Sequence, residues 1–188
     1  MIPSVLLNSI TALIALAALI VRSHNSSLRI ILRYFTALSN LFCAATCLVV
    51  AIARLCDRLP SAVLVLKYMG TSAVTVTFLT VMLFLGPFVY NYKILLTGAD
   101  LWLHLVCPLF AIISLLLWDK PVASFSIVFL GVLPVFLYGI NYLYHVLLVS
   151  PEKRWEDFYG FNRHGKWLLS FIVMILASFL ISLILWIL

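Results

Sequence analysis

Apolar sequence fills almost the whole chain and leaves room for little besides membrane-spanning helices. Hydrophobic residues make up 65% of the 188 residues and charged residues 10%, whereas soluble domains have about 45–50% and about 25%. A helix needs roughly 20 mostly apolar residues to cross the hydrocarbon core of a bilayer. Six stretches reach that length: 3–21, 31–53, 66–89, 101–118, 122–148 and 168–188. The sequence therefore predicts an all-α polytopic membrane protein, a bundle of six transmembrane helices forming one domain over residues 1–188.

Basic residues flank the apolar stretches and predict the orientation of the bundle. The formal net charge is +6, and beside membrane spans such charge fits orientation and anionic headgroups better than nucleic acid. Of the 12 Lys and Arg residues, the odd-numbered loops carry eight: Arg22, Arg29, Arg33, Lys93, Lys153, Arg154, Arg163 and Lys166. The even-numbered loops carry four: Arg54, Arg58, Lys67 and Lys120. The positive-inside rule then predicts that the odd-numbered loops are cytoplasmic and both termini lie outside.

The four cysteines show no spacing typical of a metal site or a disulfide framework. Cys43 and Cys47 are four residues apart and would share one side of the second helix, while Cys56 and Cys107 are isolated. No Cys-x-x-Cys pair occurs in the sequence. We interpret all four as packing residues, since a free cysteine behaves as a small hydrophobe. The sequence indicates no cofactor and no metal.

A polar face runs along the second apolar stretch, which opens with RYFTALSNLF over residues 33–42. Its residues recur at intervals of three or four and include Arg29, Arg33, Thr36, Asn40, Cys43 and Cys47. Ser39 lies beside Thr36 and Asn40 on the same helix. Polar groups in a span usually face the bundle interior and often mark a site. The competing interpretation is that they hydrogen-bond one helix to the next.

The fourth stretch opens with TGADLWLHLVCPLF and places ionisable groups at the start of a membrane helix. Thr97 and Asp100 fit a variant capping box with Thr97 as the N-cap. His104 lies one turn beyond Asp100, so we expect the carboxylate to reach the imidazole and fix its tautomer. The alternative is that Asp100 only complements the helix N-terminus. A histidine one turn inside a membrane helix needs a partner in either case.

Several of these groups are expected near one face of the membrane. The second and fourth helices both begin at odd-numbered loops, which places Thr36 and His104 at similar depth. The end of the fifth helix and the fifth loop bring further polar groups to that face: Asn141, Tyr142, His145 and Asp157. An interfacial aromatic belt is the competing interpretation for the aromatic residues of this segment.

The chain resembles the androgen-induced and androgen-dependent TFPI-regulating family of multi-pass membrane proteins and related small bacterial membrane proteins. The resemblance is carried by YFTALSN in the second span and LHLVCP in the fourth, and the layout of the spans supports it. It implies a threonine hydrolase that cleaves fatty acid esters of hydroxy fatty acids. It also implies a threonine nucleophile early in the second span and a histidine base near the fourth. By position these are Thr36 and His104.

The sequence thus predicts an intramembrane hydrolase of lipid esters whose catalytic residues are Thr36 and His104. The residues expected to bind substrate are Ser39, Asn40, Asp100, Asn141, Tyr142, His145 and Asp157. The expected partners are membrane lipids and a lipid substrate or other small amphipathic ligand. Three alternatives remain open at this point. They are a small transporter or lipid-binding bundle, a structural membrane protein, and a metal-dependent hydrolase with ligands among His104, His145, His164 and Asp157.

Overall fold

The computed structural model describes residues 2–188 and contains six helices that are long and apolar enough to cross a membrane. They are α1 (Ile2–His24), α2 (Phe35–Leu55), α3 (Ser61–Val89), α4 (Ala99–Asp119), α5 (Ile127–Leu148) and α6 (Trp167–Ile187). Short helical turns at Leu28–Ile31 and Tyr92–Leu95 lie in the connections. No strand occurs within the described residues. The predicted all-α, six-helix membrane bundle is therefore confirmed.

Helix α3 lies at the centre of the bundle and contacts α2, α4, α5 and α6. Its side chains are buried without interruption from Gly70 to Thr77, as expected of a helix that is apolar around its whole circumference. Helix α1 packs against α2 and α4, whereas α6 packs against α5 and α3 at the edge. Helix α6 buries little besides Ser178, Ser182 and Leu185, so most of its surface suits contact with lipid.

Small residues allow α2 and α3 to approach closely at mid-bundle. A side-chain carbon added to Gly70 would lie 2.7 Å from Oγ1 of Thr46 and 3.2 Å from Cα of Cys43. Such close backbone contact at small residues is a common packing device between membrane helices. It fixes the position of α2, the helix that carries the polar face predicted from the sequence.

Helix α2 begins at Phe35 rather than near 31, so Arg29 and Arg33 precede the helix whose polar face they were predicted to share. The starts of α3 and α5 differ more from the sequence prediction. Helix α3 begins at Ser61 rather than near 66, directly after Pro60, whose fixed φ suits a helix entry. Lys67 consequently lies inside α3 with no exposed surface, and its assignment to the second loop was wrong. Helix α5 begins at Ile127 rather than near 122, because the chain from 120 to 124 is not helical. Local hydropathy did not reveal either boundary.

Proline and glycine modify α3 and α4 near the odd-numbered loops. The last part of α3, Val81–Val89, has wide π-helical turns around Pro87, consistent with the distortion expected at Gly86-Pro87. Helix α4 begins at Ala99 after Gly98, which has a φ of +58° and provides no side-chain cap. Thr97 was predicted to be the N-cap, and that prediction was wrong because the helix starts after the glycine.

Candidate active site

The candidate site lies where the first turns of α2 and α4 meet, on the side of the odd-numbered loops. Oγ1 of Thr36 is 3.3 Å from Nε2 of His104. The threonine is half-buried, whereas His104 is 5% exposed. Two residues 68 positions apart in the chain are thus within hydrogen-bond distance at the edge of the bundle.

The tautomer of His104 follows from its second contact. Nδ1 lies 2.7 Å from the carbonyl oxygen of Leu95. A carbonyl can only accept, so Nδ1 carries the proton and donates it. In the neutral ring Nε2 then keeps its lone pair and faces the hydroxyl of Thr36. Leu95 ends a short helix whose last carbonyls have no partner within that helix, which leaves its oxygen free to orient the imidazole.

Asp100 does not fill the role predicted for it as the partner of His104. Its carboxylate forms an ion pair with Arg22 of α1, and the guanidinium of Arg22 also lies 5.7 Å from the centre of the Tyr34 ring. The prediction assumed ordinary helical spacing, but residues Trp102–Val106 form π-helical turns. The backbone carbonyl of Leu95 and the cation from α1 could not be identified from the sequence of α4 alone.

The side-chain amide of Asn40 connects the two halves of the site. Nδ2 donates to the carbonyl oxygen of Thr36 at 2.8 Å and to that of Leu103 at 3.0 Å. One amide therefore joins the backbone of the candidate nucleophile to the residue that precedes His104. Oδ1 of Asn40 is buried and has no hydrogen-bond partner within residues 2–188.

Ser39 reinforces the same part of α2 from the α3 side. Its hydroxyl lies 2.9 Å from Oγ1 of Thr77 and donates to the carbonyl oxygen of Thr36 at 3.2 Å. The carbonyl of Thr36 therefore receives hydrogen bonds from the side chains of both Ser39 and Asn40. These two residues support the backbone of Thr36 and restrict its movement.

The fifth loop folds over the start of α2 around a partly buried carboxylate–tyrosine pair. Tyr142 donates to Oδ1 of Asp157 at 2.8 Å, and Asp157 also accepts from the backbone amides of Phe161 and Asn162, both at 2.8 Å. The hydroxyl of Tyr142 accepts in turn from the amide of Tyr159 at 3.2 Å. These contacts place Tyr142 and Asp157 in the scaffold of the loop.

Tyr159, an aromatic residue of the fifth loop, contacts the start of α2 in a role that its position in the sequence did not indicate. Its hydroxyl accepts a hydrogen bond from the backbone amide of Phe35 at 2.9 Å, one of the unpaired amides at the start of α2. Burial raises the pKa of Tyr159 to about 12, so the phenol stays protonated at neutral pH. Its aromatic setting was visible in the sequence, but nothing in its spacing indicated a cap for α2.

His145 contacts its own helix and the fifth loop, whereas Asn141 is exposed on the surface of α5. Nδ1 of His145 contacts the carbonyl oxygen of Asn141 at 2.9 Å, and the imidazole stacks on Trp155 with ring centres 4.1 Å apart. His164 is exposed in the fifth loop. Within the described part of the chain, no group of three or more His, Cys, Asp and Glu residues is arranged to hold a metal ion. The alternative of a metal-dependent hydrolase therefore gains no support from the geometry.

An apolar groove runs along the surface beside the site, between α2 and α5. It has a volume of about 280 Å³ and is lined by Phe35, Leu38, Ser39, Phe42, Pro134, Leu137, Tyr138 and Asn141. Ser39 connects this groove to the backbone of Thr36. The dimensions and lining suit a hydrocarbon chain in contact with the membrane.

Comparisons of the chain with models of known protein families, with curated proteins and with solved structures found no match. The fold and its six apolar helices define an integral multi-pass membrane protein. The resemblance to the androgen-induced and androgen-dependent TFPI-regulating family stays a prediction.

Proposed function

We propose that the protein is an intramembrane hydrolase of lipid esters, with Thr36 as the nucleophile and His104 as the general base. The observation that carries the proposal is that His104 contacts Oγ1 of Thr36 through Nε2 at 3.3 Å and the Leu95 carbonyl through Nδ1 at 2.7 Å. A hydroxyl is a weak nucleophile until an adjacent base removes its proton. A base held in one tautomer by a third group is the recurrent pattern of such sites.

The chemistry assigned to the pair proceeds in two steps. Nε2 of His104 takes the proton of Thr36 as Oγ1 attacks the ester carbonyl, and the imidazolium then returns that proton to the departing alcohol. Water next attacks the acyl-threonine as His104 takes one of its protons. The bond between Oγ1 and the acyl carbon then breaks, the imidazolium returns the proton to Oγ1, and the carboxylic acid leaves. The Leu95 carbonyl stabilises the imidazolium by accepting from Nδ1–H throughout.

The oxyanion of the tetrahedral intermediate requires hydrogen-bond donors. Most side chains near Thr36 already donate elsewhere, which limits the donors available to it. Asn40 directs its amide group at two backbone carbonyls, and Tyr142 donates to Asp157. Arg22 forms an ion pair with Asp100 at the start of α4, and that pair uses Nη1. The remaining N–H groups of the guanidinium make Arg22 the preferred stabiliser of the developing negative charge.

The substrate class follows from the position of the site. Thr36 lies in the first turn of a membrane helix, and the groove between α2 and α5 begins beside it. An ester carbonyl near the headgroup level would reach Thr36 while its acyl chain occupies the groove along Leu38 and Phe42. This arrangement favours esters of long-chain acids that approach laterally from the lipid leaflet.

The proposal is tested with purified parent protein, Thr36→Ala and His104→Ala in detergent against a panel of acyl esters. We expect the parent to hydrolyse at least one ester and both variants to lose activity by a factor of about 10³ or more, since nucleophile and base act as a unit. Intact mass measured during turnover should show an acyl adduct on the parent that is absent from Thr36→Ala.

Matched controls separate loss of chemistry from loss of structure. Thr97→Ala and His24→Ala change an exposed threonine and an exposed histidine on the same membrane side and should keep full activity. Thermal unfolding should give similar midpoints for all variants. A parent that hydrolyses no ester on the panel, or variants as active as the parent, would overturn the proposal. Binding of esters in the groove without turnover would instead favour the lipid-binding or transporter alternative.

A further inference from the structure

A second reactive cluster lies deep in the bundle, at a lysine that the proposed hydrolase does not use. Lys67 of α3 has no exposed surface, and its Nζ lies 2.9 Å from Sγ of Cys47 in α2. Cys47 is also fully buried. An ionisable side chain inside a membrane span is costly and is usually paired or functional.

The pairing of Lys67 with a sulfur atom is unusual because a carboxylate lies in the same region. Asp119 is within electrostatic range of Lys67, yet its oxygens accept from Arg54 and from the side chains of Ser4, Asn8 and Ser114. Between residues 2 and 188, Sγ of Cys47 is the sole hydrogen-bond partner of Nζ. The carboxylate is thus fully occupied, and the sulfur is left as the counterpart of the amine.

The cost of burying charge restricts the pair to two protonation states. An ammonium beside a neutral thiol would leave a buried positive charge without a hydrogen-bonded counter-ion, since Asp119 is already paired with Arg54. The pair is therefore either ammonium with thiolate or amine with thiol, and one proton moves between nitrogen and sulfur. Either state keeps a nucleophilic sulfur and a primary amine in contact, and the thiolate is the form of cysteine that reacts with oxidants.

We propose that Cys47 and Lys67 form an oxidation site at which a small hydroperoxide, such as hydrogen peroxide, joins α2 to α3 through a sulfur–nitrogen bond. The thiolate attacks one peroxide oxygen, the O–O bond breaks, and hydroxide leaves as water after gaining a proton. The resulting sulfenic acid is attacked at sulfur by the neutral amine, the S–O bond breaks, and a second water leaves. Overall, thiol, amine and hydrogen peroxide give a sulfenamide and two water molecules. Sulfenic acids are known to condense with thiols and with nitrogen in this way.

The amine of Lys67 is better placed than the thiol of Cys43 to capture the sulfenic acid. Sγ of Cys43 is 3.9 Å from Sγ of Cys47, compared with 2.9 Å for Nζ. The two cysteines are also four apart on one helix, where Cβ atoms lie about 5–6 Å apart. A disulfide needs a Cβ separation of about 3.5–4.5 Å, so α2 would have to distort. Joining Cys47 to Lys67 requires a smaller movement.

The reagent is chosen for the environment of the site. Hydrogen peroxide is small and uncharged, so it can enter the bundle during local opening. Larger or charged oxidants would be restricted to Cys56, the exposed cysteine of the described chain. The site stands apart from the hydrolase proposal, because its test measures mass and not ester turnover.

The experiment uses the whole chain carrying Cys43→Ser, Cys56→Ser and Cys107→Ala, so that the described residues hold no thiol besides that of Cys47. The purified protein is treated with hydrogen peroxide and analysed by intact mass and peptide mapping. We expect the mass to fall by two hydrogen atoms and a linked peptide to join the Cys47 and Lys67 segments. Treatment with a thiol reductant should reverse both changes.

Two variants in the same background complete the test. Cys47→Ser should show no loss of mass, and Lys67→Leu, which removes the amine and adds no sulfur that peroxide could oxidise, should gain oxygen atoms on Cys47 instead of forming the link. Oxidation of Cys47 to sulfinic acid with Lys67 present, or no change at Cys47, would overturn the proposal. The linked peptide from the Lys67-containing protein decides the result even where Lys67→Leu folds poorly.

Discussion

At the scale of single residues, one amide group sets the geometry on which the candidate chemistry depends. Asn40 ties the carbonyl of Thr36 to that of Leu103, the residue before His104. Rotation or sliding of α2 against α4 would stretch these hydrogen bonds before it separated the hydroxyl from the imidazole. Asn40 is thus a positioning residue, since its amide is directed at the backbone and away from a reacting carbonyl.

We predict that Asn40→Ala lowers kcat of ester hydrolysis by about 10²-fold, because small displacements of reacting groups have effects of this size. KM should stay near the parent value, since the groove residues Leu38 and Phe42 are unchanged. The measurement is a steady-state comparison on the ester that the parent turns over. Asn162→Ala, in the fifth loop, is the matched control and should leave kcat unchanged. An equal loss in kcat for both variants, or a change confined to KM, would contradict the positioning role.

The residues of the site also show what sequence patterns can and cannot predict. Helical spacing placed Thr36 and Asn40 on one face of α2. The helix order placed Thr36 and His104 on the same side of the membrane, which was sufficient to predict that these two residues could meet. The partner of His104 was predicted incorrectly, because it is a backbone carbonyl that a short turn at Tyr92–Leu95 brings close. Backbone groups carry no signature in the sequence, so tertiary structure alone could reveal this contact.

At the scale of the helices, the close approach of α2 and α3 depends on the absence of a side chain at Gly70. An added carbon there would meet Oγ1 of Thr46 and the backbone of Cys43. The Lys67–Cys47 contact joins the same two helices one turn away along α3. The packing of this helix pair therefore affects both the buried amine and the helix that carries Thr36.

We predict that Gly70→Leu destabilises the bundle by about 1–3 kcal/mol, the usual cost of overpacking a tightly packed interior. The measurement is the free energy of unfolding in mixed detergent, read from helical circular dichroism. Ala62→Leu is the control, because Ala62 lies on an exposed part of the same helix. Similar losses in both variants would show that the close approach at Gly70 contributes nothing specific.

Apolar length predicts the number of membrane helices better than local polarity predicts where each helix begins. Apolar length alone was sufficient for the number of spans, because a bilayer sets a minimum that few other structures satisfy. The start of α3 was misplaced, since Lys67 was expected at the membrane surface. Its burial becomes feasible only through the sulfur of Cys47 on another helix. A hydropathy average is taken over one segment of sequence, so it cannot detect a hydrogen-bond partner on another helix.

At the scale of the whole molecule, the two ends of the bundle differ in how their charges are used. On the even-loop side, Asp119 accepts hydrogen bonds from side chains of α1, α2 and α4. Its ion pair with Arg54 joins α4 to the end of α2. On the odd-loop side, the fifth loop is held together by Asp157 and contacts the start of α2 through Tyr159. One end is thus held by a buried ion pair, while the other surrounds the Thr36–His104 pair.

The burial of Lys67 also strengthens the predicted orientation. Removing Lys67 from the four basic residues assigned to the even-numbered loops leaves three, against eight on the odd-numbered side. The positive-inside rule counts basic residues in short loops near the ends of spans. The larger imbalance continues to predict cytoplasmic odd-numbered loops and an external second loop.

Cys56 provides a natural test of that orientation. It is exposed at the end of α2, whereas Cys43, Cys47 and Cys107 are buried. We predict that a charged, membrane-impermeant maleimide added to intact expressing cells labels the parent protein and fails to label Cys56→Ser. Labelling that requires broken cells would place the second loop in the cytoplasm and reverse the orientation. Since Thr36 and His104 lie on the opposite side from Cys56, the same result decides which leaflet would deliver an ester to the candidate site.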